Sequence, residues 1–240
     1  MTVLITRPTE DSQLLADVLK KANIDSFVEP MFHVKHLLTE LDDRGFKLLD
    51  GSVFTSRHAV RPLPGLKDLP CFVVGESTAL EAKKHGFNNI FVAQGNVESL
   101  LNLIQNYSSE KTSRLLYLRG AVITLDIAKI LSKQNIVVEE RVVYRTDEIK
   151  TLSSEFIKRI MAADIKTAVF FSLNTAKIFI KRLQEKSLLS SCHKITCFVM
   201  SKKIQDMLLN VGFCNIIVFN EDTKQLIASL GECYKSDKTK

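Results

Sequence analysis

The sequence predicts an α/β protein made of two similar doubly wound domains with parallel sheets. Two internal repeats and a regular alternation of patterns lead to this prediction. The apolar run Val53-Phe-Thr-Ser56 returns as Val169-Phe-Phe-Ser172, and Gly86–Val92 returns as Gly212–Val218 with five of seven residues identical. Between them, short β-type runs alternate with helical patterns, as in βαβ units with right-handed crossovers and parallel strands. A duplicated unit explains both repeats, and we expect a site between the two copies.

The first two elements are a strand at 3–6 and a helix, whose apolar residues recur between 14 and 22 at three- and four-residue spacing. We expect Thr9 or Asp11 to cap this helix, with Pro8 at its start.

After the first helix, Pro30 closes a second strand at 24–29 or places that strand at a sheet edge. Residues 31–50 have no clear pattern, although leucines at 37, 38 and 41 favour a short helix. From residue 52 the alternation is regular. Further strands are predicted at 52–55, 71–74, 90–92, 114–118, 167–171, 195–199 and 215–219, and helices near 79–83, 97–105, 125–131, 152–162, 176–183, 204–211 and 222–231.

The composition is that of a soluble globular protein, with 45% hydrophobic and 25% charged residues among 240. No apolar run approaches the roughly 20 residues that cross a membrane. The chain starts directly with the strand residues Val3-Leu4-Ile5 rather than with a signal peptide, so we expect a cytoplasmic protein. The five cysteines are scattered, and only His33 and His36 lie at a ligand-like spacing. We therefore expect reduced thiols and no bound metal.

The net charge of +6 is compatible with nucleic acid or with a small polyanionic ligand. Nucleic-acid binding predicts clustered Lys and Arg with interleaved aromatic residues, but the basic residues here are dispersed. The lysine-rich tail at 235–240 is predicted to be a disordered end. We expect a small polyanion, and no nucleic acid or membrane partner.

The predicted strand ends, where ligands bind in open α/β sheets, are rich in hydroxyls, glycines and bases. Backbone N–H groups at the helix starts that follow them favour anions. No P-loop or G-x-G-x-x-G fingerprint is present, so a nucleotide is not the expected anion. These positions are Thr6-Arg7, Thr55-Ser56-Arg57, Gly75-Glu76-Ser77, Gln94-Gly95-Asn96, Arg119-Gly120, Phe171-Ser172-Leu173-Asn174 and Ser201-Lys202-Lys203.

Seven short motifs, in this order and spacing, resemble the uroporphyrinogen-III synthase family over nearly the whole chain. They are Leu4-Ile-Thr-Arg-Pro8, Val53-Phe-Thr-Ser56, Val74-Gly-Glu-Ser-Thr-Ala79, His85-Gly-Phe87, Leu118-Arg-Gly120, Val143-Tyr-Arg-Thr146 and Val169-Phe-Phe-Ser172.

The resemblance implies two α/β domains joined by two extended linker strands, near 30–36 and 142–148. Domain 1 would combine 1–33 with 149–240, and domain 2 would span 36–142. The repeat alone would place a cut near residue 112. The long β-type run at 136–145 suits a returning linker.

The implied activity is that of a lyase, which cyclises hydroxymethylbilane to uroporphyrinogen III with inversion of ring D and loss of water. The mechanism is usually drawn through a spiro intermediate and uses no cofactor. The substrate is a large polycarboxylate, which suits a basic protein with anion-binding helix starts. The alternative is a non-catalytic, two-lobed protein that binds a small anion. Nothing in the sequence calls for more than a monomer.

The resemblance also implies site residues. Tyr144 matches the family tyrosine and would act as a general acid, although packing in a linker explains a tyrosine there equally well. The hydroxyls would bind substrate, cap helices or do both, and Arg7 would bind a carboxylate or form a surface ion pair. The expected substrate-binding residues are Arg7, Thr55, Ser56, Ser77, Thr78, Arg119, Ser172, Asn174, Ser201 and Lys203.

One segment departs from the family pattern. The second copy of the repeat usually has a Gly-x-Thr-Thr-like turn, but Ser201, Lys202, Lys203 and Ile204 stand there in this chain. The hydroxyls expected at positions 203 and 204 are therefore missing. Lys203 would supply charge and Ser201 a hydroxyl in their place, or this copy has lost part of the site.

Overall fold

The computed structural model describes residues 2–37, 48–93, 97–108, 113–123, 125–219 and 223–238. The strands are β1 (Thr2–Ile5), β2 (Ser26–Val28), β3 (Phe32–His36), β4 (Gly51–Phe54), β5 (Cys71–Val74), β6 (Ile90–Ala93), β7 (Ser113–Gly120), β8 (Ile136–Glu148), β9 (Ile165–Phe170), β10 (Thr196–Val199) and β11 (Ile216–Val218). The helices are α1 (Thr9–Lys21), α2 (Glu76–Lys84), α3 (Val97–Tyr107), α4 (Ile127–Ser132), α5 (Ser154–Met161), α6 (Leu173–Glu185), α7 (Leu189–Cys192), α8 (Lys202–Asn210) and α9 (Thr223–Lys238). Two 3-10 turns lie at Arg57–Ala59 and Pro64–Leu66.

Internal contacts divide the chain into two units. Unit 1 comprises Met1–His33 and Asp147–Lys240, and unit 2 comprises Val34–Thr146. The boundaries fall inside β3 and β8, and neither lies near residue 112.

Equivalent strands have the same order in the two sheets, but they follow one another along the chain in a different sequence. The sheet of unit 1 has the order β11-β10-β9-β1-β2, and the second sheet has the order β6-β5-β4-β7-β8-β3. All pairs from β11 to β2 and from β6 to β8 are parallel. The predicted class, two doubly wound α/β units with parallel sheets, is confirmed.

The equivalence between the sheets follows the repeats in the sequence. Strands β4, β5 and β6 correspond to β9, β10 and β11, and β7 and β8 correspond to β1 and β2. The topological switch point, where strand order reverses and ligands bind, therefore lies between β4 and β7 in unit 2. In unit 1 it lies between β1 and β9.

Both sheets are covered on two faces, so their central strands are almost entirely apolar. In β9, Ala168 and Phe170 join the core on one face and Val169 joins the core on the other. In β4, Phe54 and Val53 divide in the same way. Residues within these strands face one core or the other. Only the residues at the strand ends can therefore face a site.

The repeated seven-residue segment has the same structure in both copies. Gly86 and Gly212 follow α2 and α8 with φ of 86° and 100°, values that favour glycine. The next residues, Phe87 and Phe213, are buried in the cores of their units. The repeat is thus a helix stop, an anchor and a lead into the next strand.

Several local predictions were wrong. The N-cap of α1 is Pro8, with no side-chain cap among the described residues, so neither Thr9 nor Asp11 caps the helix. Leu37 is not helical, and its amide N–H donates to the carbonyl of Val143 at 2.9 Å, while positions 38 and 41 lie outside the described residues. The tail predicted to be disordered from residue 235 is helical as far as Lys238, where α9 ends. The strand-end positions 94–96 and the last two residues, 239–240, lie outside the described residues.

Candidate functional site

The switch point of unit 2 gathers four of the predicted site residues. Thr55 and Ser56 follow β4, and Arg119 lies at the end of β7, the neighbouring strand. Tyr144 joins them because β8 pairs with β7, with Gly120 opposite Tyr144. Parallel pairing brings these positions to the carboxyl edge of one sheet.

Tyr144 is seated directly on the backbone of Gly120. The register of β7 and β8 shifts between Arg119 and Gly120, and the amide of Ala121 donates to the carbonyl of Tyr144 at 2.9 Å. A Cβ atom on Gly120 would lie 2.7 Å from Cζ and 2.9 Å from the phenol oxygen of Tyr144. The ring of His58 lies 5.8 Å away, centroid to centroid, at a tilted angle. Two neighbours therefore set the position of the half-buried phenol.

A second phenol, Tyr117, belongs to this site and was not predicted. Its oxygen lies 3.0 Å from the hydroxyl of Thr55. Burial raises the pKa of Tyr117, while the hydrogen bond to Thr55 lowers it. In the sequence, Tyr117 has the pattern of a core residue within an apolar strand. Because side chains alternate between the faces of a strand, Tyr117 lies on the same face as Arg119, two residues later, and this spacing could have identified it.

Arg119 is held by Glu140 rather than free in solvent. Its Nε lies 2.7 Å from the Glu140 carboxylate, and its Nη1 donates to the carbonyl of Gly120 at 3.0 Å. The guanidinium therefore stabilises the bulge that seats Tyr144, while its positive charge is paired with the carboxylate of Glu140. Glu140 was also missed by the sequence reasoning.

The switch point of unit 1 holds Arg7, Ser172 and Asn174. The Arg7 guanidinium lies 4.6 Å from the ring centroid of Phe171 and 3.4 Å from the carboxylate of Asp11. Its side chain is 38% exposed, so a further carboxylate can reach it. Asn174 is exposed in the first turn of α6.

Three of the predicted hydroxyls cap helical segments. Ser56 accepts from the amide of His58 at 3.3 Å. Ser172 accepts from Thr175 and caps α6, and Ser201 accepts from Ile204 and caps α8. Capping, the alternative weighed for Ser56 and Ser172, is therefore present.

The ends of β5 and β10 differ from each other. Ser77 and Thr78 lie inside α2, whose N-cap is Gly75 without a side-chain cap among the described residues, so capping, one of the two roles considered for them, is not observed. Ser77 is exposed and Thr78 is buried. In α8, Lys203 is exposed and Ile204 is buried.

Within the part of the chain that the structure describes, no group of three His, Cys, Asp or Glu residues could hold a metal ion. Burial raises the pKa of the Cys71 thiol to about 11 and that of the Cys192 thiol to about 12. At Cys71, a hydrogen bond with Ser52 lowers the pKa by a smaller amount. Neither thiol is a nucleophile at neutral pH. The described helices include none that is long and apolar enough to cross a membrane.

Comparisons with known proteins agree on one family. The model described as "Uroporphyrinogen-III synthase HemD" matches residues 12–228. A protein of Methanocaldococcus jannaschii that is provisionally named a uroporphyrinogen-III synthase is 28% identical over 202 residues, covering 78% of this chain and 80% of that protein.

Solved structures show the same fold. The uroporphyrinogen-III synthetase of Helicobacter pylori superposes with a TM-score of 0.60 at 17% identity, covering 98% of this chain and 100% of its own. A mutant uroporphyrinogen III synthase of the extremely thermophilic bacterium Thermus thermophilus gives a TM-score of 0.55 at 14% identity, with 98% and 99% covered. With a family model matched over most of its length, the chain belongs to the uroporphyrinogen-III synthase family, whose members are lyases of tetrapyrrole biosynthesis.

Proposed function

We propose that this chain cyclises hydroxymethylbilane to uroporphyrinogen III, with inversion of ring D and release of water. The match to the family model over residues 12–228 carries the proposal. The phenol of Tyr144, seated beside the switch point of unit 2, supports it from the geometry. No observation favours the alternative, a non-catalytic protein that binds a small anion.

In the proposed reaction, Tyr144 is the general acid. Among the described residues none forms a hydrogen bond with its phenol oxygen, so the proton is available to the substrate. The C–O bond of the hydroxymethyl group breaks, its electron pair stays on oxygen, and the phenol proton completes the departing water. The ring nitrogen supplies electrons, which leaves an azafulvene-type cation. The substituted α-carbon of ring D attacks this cation and forms the spiro intermediate. The bond between that carbon and the methylene bridge to ring C then breaks, and the bridge bonds to the free α-carbon of ring D. This carbon releases its proton, which restores the phenol.

The remaining predicted residues are proposed to bind the acetate and propionate groups. Arg7 is the best carboxylate partner because its guanidinium is partly exposed and only loosely paired with Asp11. Amides in the first turns of α2, α6 and α8 face anions favourably, since helix N-termini carry partial positive charge. The residues proposed for binding are Arg7, Thr55, Ser56, Ser77, Thr78, Arg119, Ser172, Asn174, Ser201 and Lys203.

Further proposals on domains, assembly, location and ligand class accompany this one. The two contact-defined units are proposed to be the domains 1–33 with 149–240 and 36–142. The chain is proposed to act as a monomer in the cytoplasm, without a cofactor. The dispersed basic residues support a small polycarboxylate ligand rather than nucleic acid or a membrane surface.

The test is to supply freshly generated hydroxymethylbilane to the purified protein without added cofactor and to separate the oxidised products by isomer. An excess of the type III isomer over the spontaneous type I isomer is expected. Only type I from a folded protein would contradict the proposal and favour the anion-binding alternative.

Replacement of Tyr144 by phenylalanine tests the assignment of the acid. Tyr144→Phe keeps the ring against Gly120 and His58, so the fold should persist while kcat for type III falls by about 10²-fold or more, the lower range for general acid catalysis. The control is Tyr107→Phe, which removes an exposed phenol from a separate aromatic cluster. An unchanged kcat for Tyr144→Phe would remove this residue from the mechanism.

A further inference from the structure

The hydrogen bond between Thr55 and Tyr117 joins the hydroxyl of a half-buried residue to a buried phenol. The two oxygens lie 3.0 Å apart, across the switch point between β4 and β7. Tyr117 is only 2% exposed, whereas Thr55 is half-buried at the strand end. Among the described residues, Thr55 is the sole hydrogen-bond partner of the phenol.

The direction of this hydrogen bond follows from burial. If Thr55 donated, the phenol proton would remain buried without an acceptor among the described residues, which is costly. If Tyr117 donates, the phenol proton has an acceptor, and the proton of the half-buried Thr55 hydroxyl is left for a further acceptor. The raised pKa of Tyr117 keeps the phenol protonated near neutral pH, so the donor form is the one present.

We propose that Tyr117 is a positioning residue. It does not contact the substrate itself, but it orients the hydroxyl of Thr55 as a hydrogen-bond donor to a substrate carboxylate. This inference rests on the proposed function, since the carboxylate is that of a polycarboxylate tetrapyrrole. A hydroxyl without a partner can donate once and accept twice, whereas one that already accepts from Tyr117 has one acceptor site fewer and is therefore biased towards donating. The hydroxyl oriented in this way loses less rotational freedom on binding.

The second copy of the unit lacks this arrangement. The residues equivalent to Thr55 and Tyr117, at offsets of 116 and −112, are Phe171 and Ile5. Phe171 contacts the guanidinium of Arg7 instead. At the switch point of unit 1 the hydroxyls of Ser172 and Thr175 pair at 2.7 Å instead. Among the described residues at the two switch points, the pairing of a hydroxyl with a buried phenol is found in unit 2, which carries Tyr144.

The test compares Tyr117→Phe with the wild-type protein in binding and in turnover. The variant keeps the aromatic ring and loses only the donor. We expect the Kd for uroporphyrinogen III, measured by isothermal titration calorimetry, and the KM for hydroxymethylbilane to rise about three- to tenfold, the range of one net hydrogen bond. The kcat should stay within about twofold, as when a contact made equally in the ground and transition states is lost.

Three further variants separate positioning from structure. Thr55→Val should raise Kd at least as much, and adding Tyr117→Phe to Thr55→Val should change Kd no further, because the hydroxyl that Tyr117 orients is gone. Thr55→Ser, which keeps the hydroxyl, should retain wild-type Kd. Tyr107→Phe, the matched control, should leave Kd and KM unchanged.

The outcomes separate this inference from the proposed function. An unchanged Kd in Tyr117→Phe, or additive losses in the double variant, would overturn the positioning role even if the wild-type protein forms the type III isomer. If the wild-type protein forms the type I isomer alone, but the variants show the predicted changes in Kd, the proposed reaction would be contradicted and the positioning of Thr55 by Tyr117 would be retained. Absence of any binding to the wild-type protein would overturn both.

Discussion

Gly120→Ala should displace the phenol of Tyr144 without unfolding the protein. The added Cβ would lie 2.7 Å from Tyr144 Cζ, whereas ordinary van der Waals contact begins at 3.4 Å. Cζ of the ring must therefore withdraw by about 0.7 Å (3.4 minus 2.7) and the phenol oxygen by about 0.5 Å (3.4 minus 2.9). Gly120 does not have a positive φ, so crowding rather than backbone strain is the effect.

The expected cost falls on rate. A displacement of about 1 Å at a reacting group costs on the order of 10²-fold, so a shift of about 0.7 Å should lower kcat for the type III isomer by about 10- to 100-fold. Overpacking costs about 1–3 kcal/mol, and the half-buried ring can turn toward solvent, so the loss of unfolding free energy should sit near the lower figure. Isomer-resolved kinetics and urea denaturation measure the two effects.

Two comparisons make this prediction refutable. In a Tyr144→Phe background, Gly120→Ala should reduce kcat little further, because the group that it displaces has already been removed. Gly231→Ala is the matched control, since a Cβ there meets nothing within 4 Å and the residue lies within α9, where alanine is favoured. Wild-type kcat in Gly120→Ala, or full additivity with Tyr144→Phe, would refute the reasoning.

Two further predictions concern stability. The buried carboxylate of Glu29 accepts hydrogen bonds from the amide and hydroxyl of Ser153 at 2.7 and 2.6 Å, so Glu29→Gln should lower the unfolding free energy by about 1–3 kcal/mol in urea titrations; an unchanged midpoint would contradict this. The raised pKa of Cys71 favours the neutral thiol in the folded state, so its stabilisation is complete below pH 9 and is lost as the pH rises toward about 11. The fall across that window, about 2–3 kcal/mol, should be absent in Cys71→Ala, and an identical pH profile in the variant would count against the assignment.

The two sheets were predictable because their signals are local and repeated. An apolar run that ends in Ser56 or Ser172 before a helical pattern indicates a strand, a cap and a helix start, and both serines do cap. The repeated glycines Gly86 and Gly212 end α2 and α8, and φ is positive at both. Where strand pattern, helix cap and helix stop all indicated the same element, that element could be predicted from the sequence.

The misses arose where a neighbour in space, rather than in sequence, decides the role of a residue. Strand β3 alternates exposed polar residues with few buried ones, so it lacks the apolar signal of a central strand. Tyr117 resembles any aromatic core residue until β4 is placed beside β7. Glu140 was equally invisible before its pairing with Arg119.

The shared strand order also has a consequence for how the chain can fold. Unit 2 is one continuous stretch, so all its strands are available once residue 146 has been synthesised. In unit 1, β1 occupies an interior position between β2 and β9, and the hydroxyl of Thr6, just after β1, bonds the carbonyl of Val169 across 163 positions of the chain. The earliest strand to emerge therefore stays without one of its partners until nearly three quarters of the chain exists. Such distant pairing slows folding and prolongs the exposure of an apolar strand, so vectorial synthesis favours completion of the internal unit before the one that contains the first residues.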